Sequence, residues 1–183
     1  MKGYEMGAGG GGTDDIHVCS LNDVHDVIRL SRVRHLVTCL GDEGLARTPG
    51  GILSGRHLRL VMHDIEAELA GYVAPSAAHV TDLLDFVQGW DRNAPMLIHC
   101  FAGISRSTAV AFVALCALNP KTPEGAIARY LRTASAAATP NRRIVALGDA
   151  ALGRKGRMLD AAEQIGRGRL ELACPFALSA RVE

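Results

Sequence analysis

The stretch that decides the fold runs from residue 95 to residue 118 and reads PMLIHCFAGISRSTAVAFVALCAL. Its first part, 95–99, is largely apolar, as expected for a strand that is buried on both faces of a sheet. Residues 107–118 are apolar almost all round, which indicates a central, buried helix. The loop 100–106 between them therefore lies at the carboxyl end of a strand, where open α/β sheets bind their ligands.

Strands and helices alternate on both sides of this stretch. The hydrophobic pattern predicts three earlier strands, at 16–21, 35–40 and 58–62. Start and stop signals predict helices from residue 22 or 23 to 33, from residue 75 or 76 to the break at 93–95, and at about 122–137, 141–153 and 157–165. The alternation predicts an α/β fold with one domain, in which a central, mainly parallel sheet is flanked by helices on both faces.

Three segments are predicted along the chain. Residues 1–14 contain the run Gly-Ala-Gly-Gly-Gly-Gly, whose backbone entropy favours a flexible extension. Residues 15–165 carry the alternating strands and helices and form the domain with the functional loop. Residues 166–183 have no clear pattern and are treated as a C-terminal tail.

Composition narrows the class of protein. A chain of 183 residues with 48% hydrophobic and 21% charged residues fits one soluble domain with a full-sized core. The net charge of +1 gives no general electrostatic case for binding nucleic acid or an anionic membrane. We predict a cytoplasmic protein, because we find no secretory signal and no membrane-spanning run, and because the five cysteines form no CxxC pair. The histidines outside the loop have no metal-ligand spacing, so neither a metal nor a cofactor is predicted.

The loop 100–106 contains the residues that a phosphate cradle needs. A turn into a helix N-terminus supplies several N–H donors and a favourable dipole. Gly103 permits a close backbone approach or a positive φ, and the planar guanidinium of Arg106 can chelate two oxygens of an anion. The same field favours the thiolate of Cys100, which is the nucleophilic form. Ser107 can donate a hydrogen bond to this sulfur and help it to leave.

The pattern His99-Cys100-x-x-Gly103-x-x-Arg106-Ser107 resembles the signature of the cysteine-dependent protein tyrosine phosphatase superfamily, HCxxGxxR followed by Ser or Thr. It looks most like that of the small dual-specificity-like bacterial tyrosine phosphatases. The resemblance implies catalysis by Cys100, Arg106 and Ser107, with His99 ordering the loop. It predicts that the substrate phosphate contacts Phe101, Ala102, Gly103, Ile104, Ser105 and Arg106.

The resemblance also implies a general acid upstream of the nucleophile. Asp64 is the best candidate, because it follows an alternating strand and precedes Cys100 by 36 positions (100 − 64). Glu66 and Glu68 are the alternatives. The family shows Pro-Asn after the loop, which Pro140 and Asn141 match, so Asn141 is predicted to support the site.

The predicted activity is phosphomonoester hydrolysis through a phosphocysteine intermediate. The expected substrates are phosphotyrosine proteins, with dual specificity and small phosphomonoesters left open, and the loop is expected to bind phosphate or sulfate. The alternatives are a phospho-ligand-binding protein without turnover and a sulfurtransferase of the rhodanese type. The oligomeric state and any role of Cys174 as a resolving thiol remain open.

Overall fold

A computed structural model describes residues 12–41 and 47–182 of the chain. These residues form strands β1 (Asp15–Ser20), β2 (His35–Leu40), β3 (His57–Val61), β4 (Met96–Cys100) and β5 (Phe176–Ser179). They form helices α1 (Val24–Ser31), α2 (Ala77–Gln88), α3 (Arg106–Leu118), α4 (Glu124–Ala134), α5 (Arg142–Ala151) and α6 (Arg157–Ile165). The flexible extension predicted for residues 1–14 falls mostly on residues outside this description.

One sheet in the order β3-β2-β4-β1-β5 joins all five described strands. The first four strands pair in parallel, and β5 is antiparallel to β1 at the edge. The central strands β2 and β4 are buried along their whole length, which explains their largely apolar sequences. The predicted α/β fold with a mainly parallel sheet is confirmed.

Helices cover both faces of the sheet, but unequally. On one face α1 is the only described helix, and it packs through residues such as Val27 and Ile28 against Leu36 and Leu97 of the central strands. On the other face α3 contacts β1 and β4, and α2, α4 and α5 pack around α3. The helix α3 is therefore enclosed on all sides, as its apolar sequence predicted.

Several predicted helices end earlier in the structure than the sequence suggested, among them α2, which ends at Gln88 before the break predicted at 93–95. The helix predicted to reach Val33 ends at Ser31, because Arg32 takes a left-handed conformation with φ 53°. The helix predicted over 122–137 ends at Ala134. The following carbonyls of Ser135 and Ala136 instead accept hydrogen bonds from Arg132, at 3.3 and 2.8 Å.

The C-terminal segment adds an element that the sequence pattern left ambiguous. Strand β5, within the predicted tail 166–183, extends the sheet beyond β1. The Ser179 N–H also donates to the Tyr130 hydroxyl on α4 at 2.8 Å. Part of the segment predicted to be a tail therefore belongs to the sheet of the domain.

A buried carboxylate holds the three C-terminal helices together. Glu124, at the start of α4, has a side chain that is only 7% exposed. It accepts hydrogen bonds from Arg154 at 3.0 Å and from Arg157 at 3.1 Å. Burial alone would raise the pKa of Glu124, but the hydrogen bonds and charges of Arg157 and Arg154 outweigh it and keep the pKa below its usual value. This Glu124 cluster lies between α4 and the connection from α5 to α6.

Candidate active site

The nucleophile candidate lies where the central strand ends. Cys100 is the last residue of β4, and Arg106 is the first residue of α3, so loop 100–106 spans the gap between them. The sulfur accepts a hydrogen bond from the Gly103 N–H at 3.3 Å and lies 3.1 Å from the Ser107 hydroxyl. The loop therefore curls back over the sulfur and directs one of its own amides at it.

Gly103 occupies a position that no other residue could take without rearrangement. Its φ is +74°, and a Cβ there would lie 2.7 Å from the backbone carbon of Cys19 and 2.8 Å from the backbone nitrogen of Ser20. The loop is thus pressed against the end of β1. Both the backbone angle and the lack of space require glycine.

The carbonyls of the loop are tied outward. The Phe101 carbonyl accepts from the Leu21 N–H at 3.1 Å, and the Ile104 carbonyl accepts from the Thr139 N–H at 2.9 Å. In a trans peptide the N–H of the next residue points the opposite way from the carbonyl. The amides of Ala102 and Ser105 are therefore turned toward the inner side of the loop, as an anion cradle requires.

Arg106 is held beneath the loop. It is buried, and its Nη1 donates to the Met62 carbonyl, just beyond the end of β3, at 2.9 Å. This contact ties the start of α3 to the segment that leads to Asp64. The guanidinium adds a fixed positive charge to the same loop that carries Cys100.

Asp64 contacts the loop directly. Its Oδ1 accepts a hydrogen bond from the Ser105 hydroxyl at 2.7 Å and another from Asn141 Nδ2 at 2.9 Å. Asn141 is also the N-cap of α5, where its Oδ1 accepts from the Ile144 N–H at 3.1 Å. The structure thus brings together three residues that the sequence analysis selected from distant positions, namely Asp64, Ser105 and Asn141.

The segment that carries Asp64 is braced on both sides. His63 exchanges two hydrogen bonds with Val73, its N–H donating to the carbonyl at 2.8 Å and its Nδ1 accepting from the N–H at 2.9 Å. Arg143 of α5 donates to the Pro75 carbonyl at 2.7 Å. We call residues 63–75 the acid segment.

Glu66 and Glu68, the two alternative candidates for the general acid, lie on the same segment but make different contacts. The Glu68 carboxylate pairs with Arg143 at 2.8 Å, although its side chain is 84% exposed. Glu66 contacts Arg143 through its backbone carbonyl and is one of the residues that line a cavity beside the loop. Of the three candidates, only the Asp64 side chain has a hydrogen bond to the loop among the described residues.

A cavity of about 430 Å³ opens next to Asp64. It is bounded by Asp64 and Ser105 on one side and by residues of α5 and α6 on the other, including Arg142, Leu159 and Glu163. Arg142 and Glu163 pair across it at 2.6 Å. The cavity offers space for a group attached to a phosphate held by the loop.

The remaining loop residues divide between rim and interior. Phe101 is 60% exposed, and Ala102 is exposed beside it, so both lie on the rim of the site. Gly103, Ile104 and Ser105 are partly buried. The described residues contain no cluster of three or more His, Cys, Asp or Glu side chains that could hold a metal ion.

His99 belongs to a buried network that the sequence analysis missed. Its Nε2 lies 2.8 Å from the Thr38 hydroxyl, which in turn lies 2.9 Å from His57 Nε2. Burial lowers the pKa of His99 and of His57 to about 4, so both rings are neutral at neutral pH. Thr38 pairs with His99 across neighbouring strands, a register that one sequence could not reveal.

Two other thiols near the nucleophile differ from it in environment. Burial raises the pKa of Cys19 and of Cys39 well above the usual range for a thiol. Among the described residues, neither thiol has contacts like those of the Cys100 sulfur with the Gly103 amide and the Ser107 hydroxyl. Cys174, by contrast, is exposed, between α6 and β5.

Both the sequence and the fold of this chain are similar to those of known proteins. The sequence model of the protein-tyrosine phosphatase family matches residues 70–135, a range that includes the whole loop but not Asp64. No curated protein matches the chain significantly.

None of the described helices is both long and apolar enough to cross a membrane.

Several solved structures share the fold. The PTP-2 phosphatase of Cydia pomonella aligns with a TM-score of 0.59 at 21% identity, over 74% of this chain and 84% of its own. The human tyrosine phosphatase-like serine/threonine/tyrosine-interacting protein aligns at 0.57 and 16% identity, over 74% and 86%. DUSP15 aligns at 0.55 and 16% identity, over 82% and 89%. At such identities the likeness concerns the fold.

Proposed function

We propose that this chain is a member of the cysteine-dependent protein tyrosine phosphatase superfamily, whose sequence model matches residues 70–135, and that it hydrolyses phosphate monoesters through a phosphocysteine on Cys100. The observation that carries the proposal is that two hydrogen-bonding groups converge on the Cys100 sulfur. The Gly103 amide and the Ser107 hydroxyl both contact it, and Asp64 is hydrogen-bonded to the same loop.

In the first step the Cys100 thiolate attacks phosphorus. The bond between phosphorus and the ester oxygen breaks, and its electron pair passes to the leaving group. The loop amides and Arg106 stabilise the charge on the three equatorial oxygens. Asp64 gives its proton to the departing oxygen, which matters most when the leaving group is a poor one.

In the second step water releases the phosphate. The Asp64 carboxylate takes a proton from the water as its oxygen attacks phosphorus, so the group that acted as acid now acts as base. The sulfur–phosphorus bond breaks and the thiolate is regenerated. The Ser107 hydroxyl, 3.1 Å from the sulfur, stabilises the negative charge that returns to it.

Phosphotyrosine in a protein is the substrate that we propose first. A phenolic ester reaching the sulfur would extend past the rim formed by Phe101, and the cavity beside Asp64 can accept a neighbouring group. The loop interior from Phe101 to Ser105 has no Lys or Arg, which disfavours a highly charged inositol phosphate. Whether phosphoserine and phosphothreonine are also accepted depends on the depth of the cleft.

Two other functions fit the site less well. A phospho-ligand-binding protein without turnover needs only the anion cradle, whereas here a thiol, an arginine and a carboxylate all meet at one loop. A rhodanese-type sulfurtransferase would not need Asp64 hydrogen-bonded to Ser105.

The direct test is hydrolysis of p-nitrophenyl phosphate in the presence of EDTA. We expect turnover by the wild type, complete loss in Cys100→Ser, and phosphate binding retained in that variant. Vanadate, which mimics the trigonal-bipyramidal transition state, should inhibit. If Cys100→Ser turns over at the wild-type rate, the phosphocysteine mechanism is wrong.

A second measurement addresses the substrate. We expect phosphotyrosine peptides to have the highest kcat/KM in a panel that also contains phosphoserine peptides, phosphoinositides and nucleotides. A clear preference for a phosphoinositide would overturn the phosphoprotein assignment while leaving the chemistry intact. The cytoplasmic location remains a prediction.

A further inference from the structure

Exposed hydrophobic side chains are concentrated beside Asp64. Among the described residues eight large hydrophobic side chains are exposed, and three of them belong to the acid segment, namely Leu69, Tyr72 and Val73. A fourth, Phe101, lies on the loop itself. A single exposed hydrophobic residue is common on a protein surface, whereas a group of them beside a site is typical of a surface that contacts a ligand. We call Leu69, Tyr72 and Val73 the apolar turn.

The apolar turn is held next to the residue that precedes Asp64. The Tyr72 N–H donates to the Leu69 carbonyl at 3.1 Å, which closes a tight turn and brings these two residues together. The Tyr72 ring packs edge-on against the His63 ring, with centroids 4.9 Å apart. Val73 exchanges two backbone-mediated hydrogen bonds with His63. Because His63 directly precedes Asp64, the apolar turn flanks the candidate for the general acid.

The charges on the acid segment are all negative. Residues 63–75 contain Asp64, Glu66 and Glu68 but no Lys or Arg. Arg143 compensates the Glu68 carboxylate. The Glu66 side chain, by contrast, has no ion pair among the described residues. The segment that carries the apolar turn therefore adds an uncompensated negative charge to the same surface.

The cations across the cavity lie on other elements. Arg142 at the start of α5 is paired with Glu163 at 2.6 Å. Arg167, which follows the end of α6, lines the cavity without an ion pair among the described residues. A group that contacts the apolar turn shares a segment with Glu66, whereas Arg167 belongs to the opposite wall. Apolar contact is therefore favoured on the acid segment, and a carboxylate there is repelled.

A peptide substrate has to pass this surface to reach the sulfur. In the proposed mechanism Asp64 delivers its proton to the ester oxygen, so the phosphotyrosine lies beside Asp64 and its peptide continues over the neighbouring residues. An extended chain advances about 3.5 Å per residue, so two flanking residues cover about 7 Å of surface. Apolar flanking side chains would remove the apolar turn from water, which favours binding.

We propose that the apolar turn determines specificity by selecting phosphotyrosine peptides that have apolar residues next to the phosphotyrosine. Leu69 and Tyr72 contact the flanking side chains, and Glu66 disfavours a flanking carboxylate. This inference rests on the proposed phosphatase function, because it concerns the substrate of the same site. It adds a selection among phosphotyrosine peptides that loop 100–106 does not make, since the loop contacts only the phosphate.

The first test compares three peptides that differ only in the residues on both sides of the phosphotyrosine, which are Leu, Ala or Glu. We expect kcat/KM of the wild type to decrease in that order, by about tenfold from the first to the last. p-Nitrophenyl phosphate has no flanking residues and is the reference for the chemistry. Equal kcat/KM values for the peptides, or the highest value for the Glu peptide, would overturn the specificity while turnover of the reference upholds the phosphatase function.

Leu69→Ser tests the apolar contact. We expect kcat/KM for the Leu peptide, relative to that for p-nitrophenyl phosphate, to fall about fivefold. Leu53→Ser is the matched control, because Leu53 is 68% exposed and Leu69 is 54% exposed. Leu53 precedes β3 and so lies at the opposite end of the sheet from the loop. The same loss in both variants, or no loss in Leu69→Ser, would contradict a role of the apolar turn.

Glu66→Gln tests the charge. At low ionic strength the ratio of kcat/KM for the Glu peptide to that for the Leu peptide should rise about threefold, as for one exposed charge. An unchanged ratio would show that Glu66 does not act on the flanking residues.

Binding to Cys100→Ser separates the specificity from the chemistry, because it needs no turnover. Isothermal titration calorimetry should give the tightest Kd for the Leu peptide and the weakest for the Glu peptide. The same order would support the apolar turn even if the wild type hydrolysed no substrate. Equal Kd values would overturn it even if the wild type were active.

Discussion

Asp64 and Glu124 are two carboxylates in very different surroundings. Glu124 is buried, and both of its oxygens receive hydrogen bonds from arginines. Asp64 is exposed, and its two donors, Ser105 and Asn141, are neutral and share a single oxygen, Oδ1. Among the described residues Oδ2 has no protein donor. The first arrangement locks a charge in place, whereas the second orients a carboxyl group and leaves one oxygen able to carry a proton.

The strongest way to break this contrast is Asp64→Asn. The amide oxygen can still accept from Ser105 and Asn141, so the fold should be retained, but no proton can be delivered. We expect kcat for a substrate with a poor leaving group to fall about 10³-fold, within the range of general acid catalysis. End-point assays on a phosphoserine peptide and on p-nitrophenyl phosphate measure the loss of kcat on each substrate. The loss should be far smaller for p-nitrophenyl phosphate, which has a good leaving group.

A wild-type rate of Asp64→Asn on the poor leaving group would show that another group is the acid. Glu66→Gln is the matched control, because Glu66 lies on the same acid segment and makes no hydrogen bond to the loop among the described residues.

Glu124→Gln tests the structural half of the comparison. Removing the charge leaves Arg154 and Arg157 without their counter-ion, and we expect the free energy of unfolding to fall by about 3 kcal/mol. Urea denaturation measures it, and kcat of the folded protein should stay the same. The control Asp26→Asn breaks the exposed pair with Arg29 and should cost less than about 0.5 kcal/mol.

Equal losses in these two variants would contradict the distinction between a buried and an exposed ion pair. A large loss of kcat in Glu124→Gln would show that the Glu124 cluster acts on the site and does not merely hold the helices.

Asn141 sharpens the contrast because it both caps α5 and donates a hydrogen bond to Asp64. Asn141→Ala should lose about 1 kcal/mol of stability, since the cap of α5 is lost, and about tenfold in kcat, since Asp64 loses a donor. Asn141→Ser keeps a capping oxygen but has a hydroxyl on a shorter side chain. We expect it to recover the stability and not the activity, as measured by thermal unfolding and steady-state kinetics. Recovery of both would mean that the contact with Asp64 is unimportant.

The smallest expected effect is a difference in pH dependence. Burial lowers the pKa of His17, His57 and His99 from 6.5 to about 4, so the unfolded chain takes up protons first and stability falls as the pH falls from 6.5 to 4. Glu124 has a pKa below its usual 4.5, so its contribution is present above pH 4.5 and is lost as the pH falls through its lower folded value.

Glu124→Gln should therefore match the wild-type slope between pH 6.5 and 5 and have a flatter dependence of stability on pH below 4.5. Urea titrations at several pH values measure both windows. An unchanged slope below pH 4.5 would mean that Glu124 does not titrate with unfolding.

The local part of this site could be predicted from the sequence. The position of loop 100–106 could be predicted because a buried strand, Gly103 and Arg106 follow one another within one short stretch of the chain. Asp64 could be selected by its distance from Cys100, but the sequence could not separate it from Glu66 and Glu68. The hydrogen bond to Ser105 favours Asp64, whose role as the acid stays a prediction.

Contacts between strands could not be predicted in the same way. Thr38 meets His99 through the register of β2 against β4, and no local pattern encodes that register. Strand β5 was missed because it has only four residues and follows Pro175, so its identity depends on pairing with β1. The Glu124 cluster was missed for the same reason, since its arginines lie 30 and 33 positions away.

The bracing of the acid segment has a consequence for inhibitors. His63 and Val73 close the segment on itself, Arg143 fixes its far end, and Asp64 is already bonded to the loop. A ligand that enters such a site has little chain left to immobilise, so ordering entropy should subtract little from its affinity. Small, rigid oxyanion mimics should then bind with high efficiency per atom.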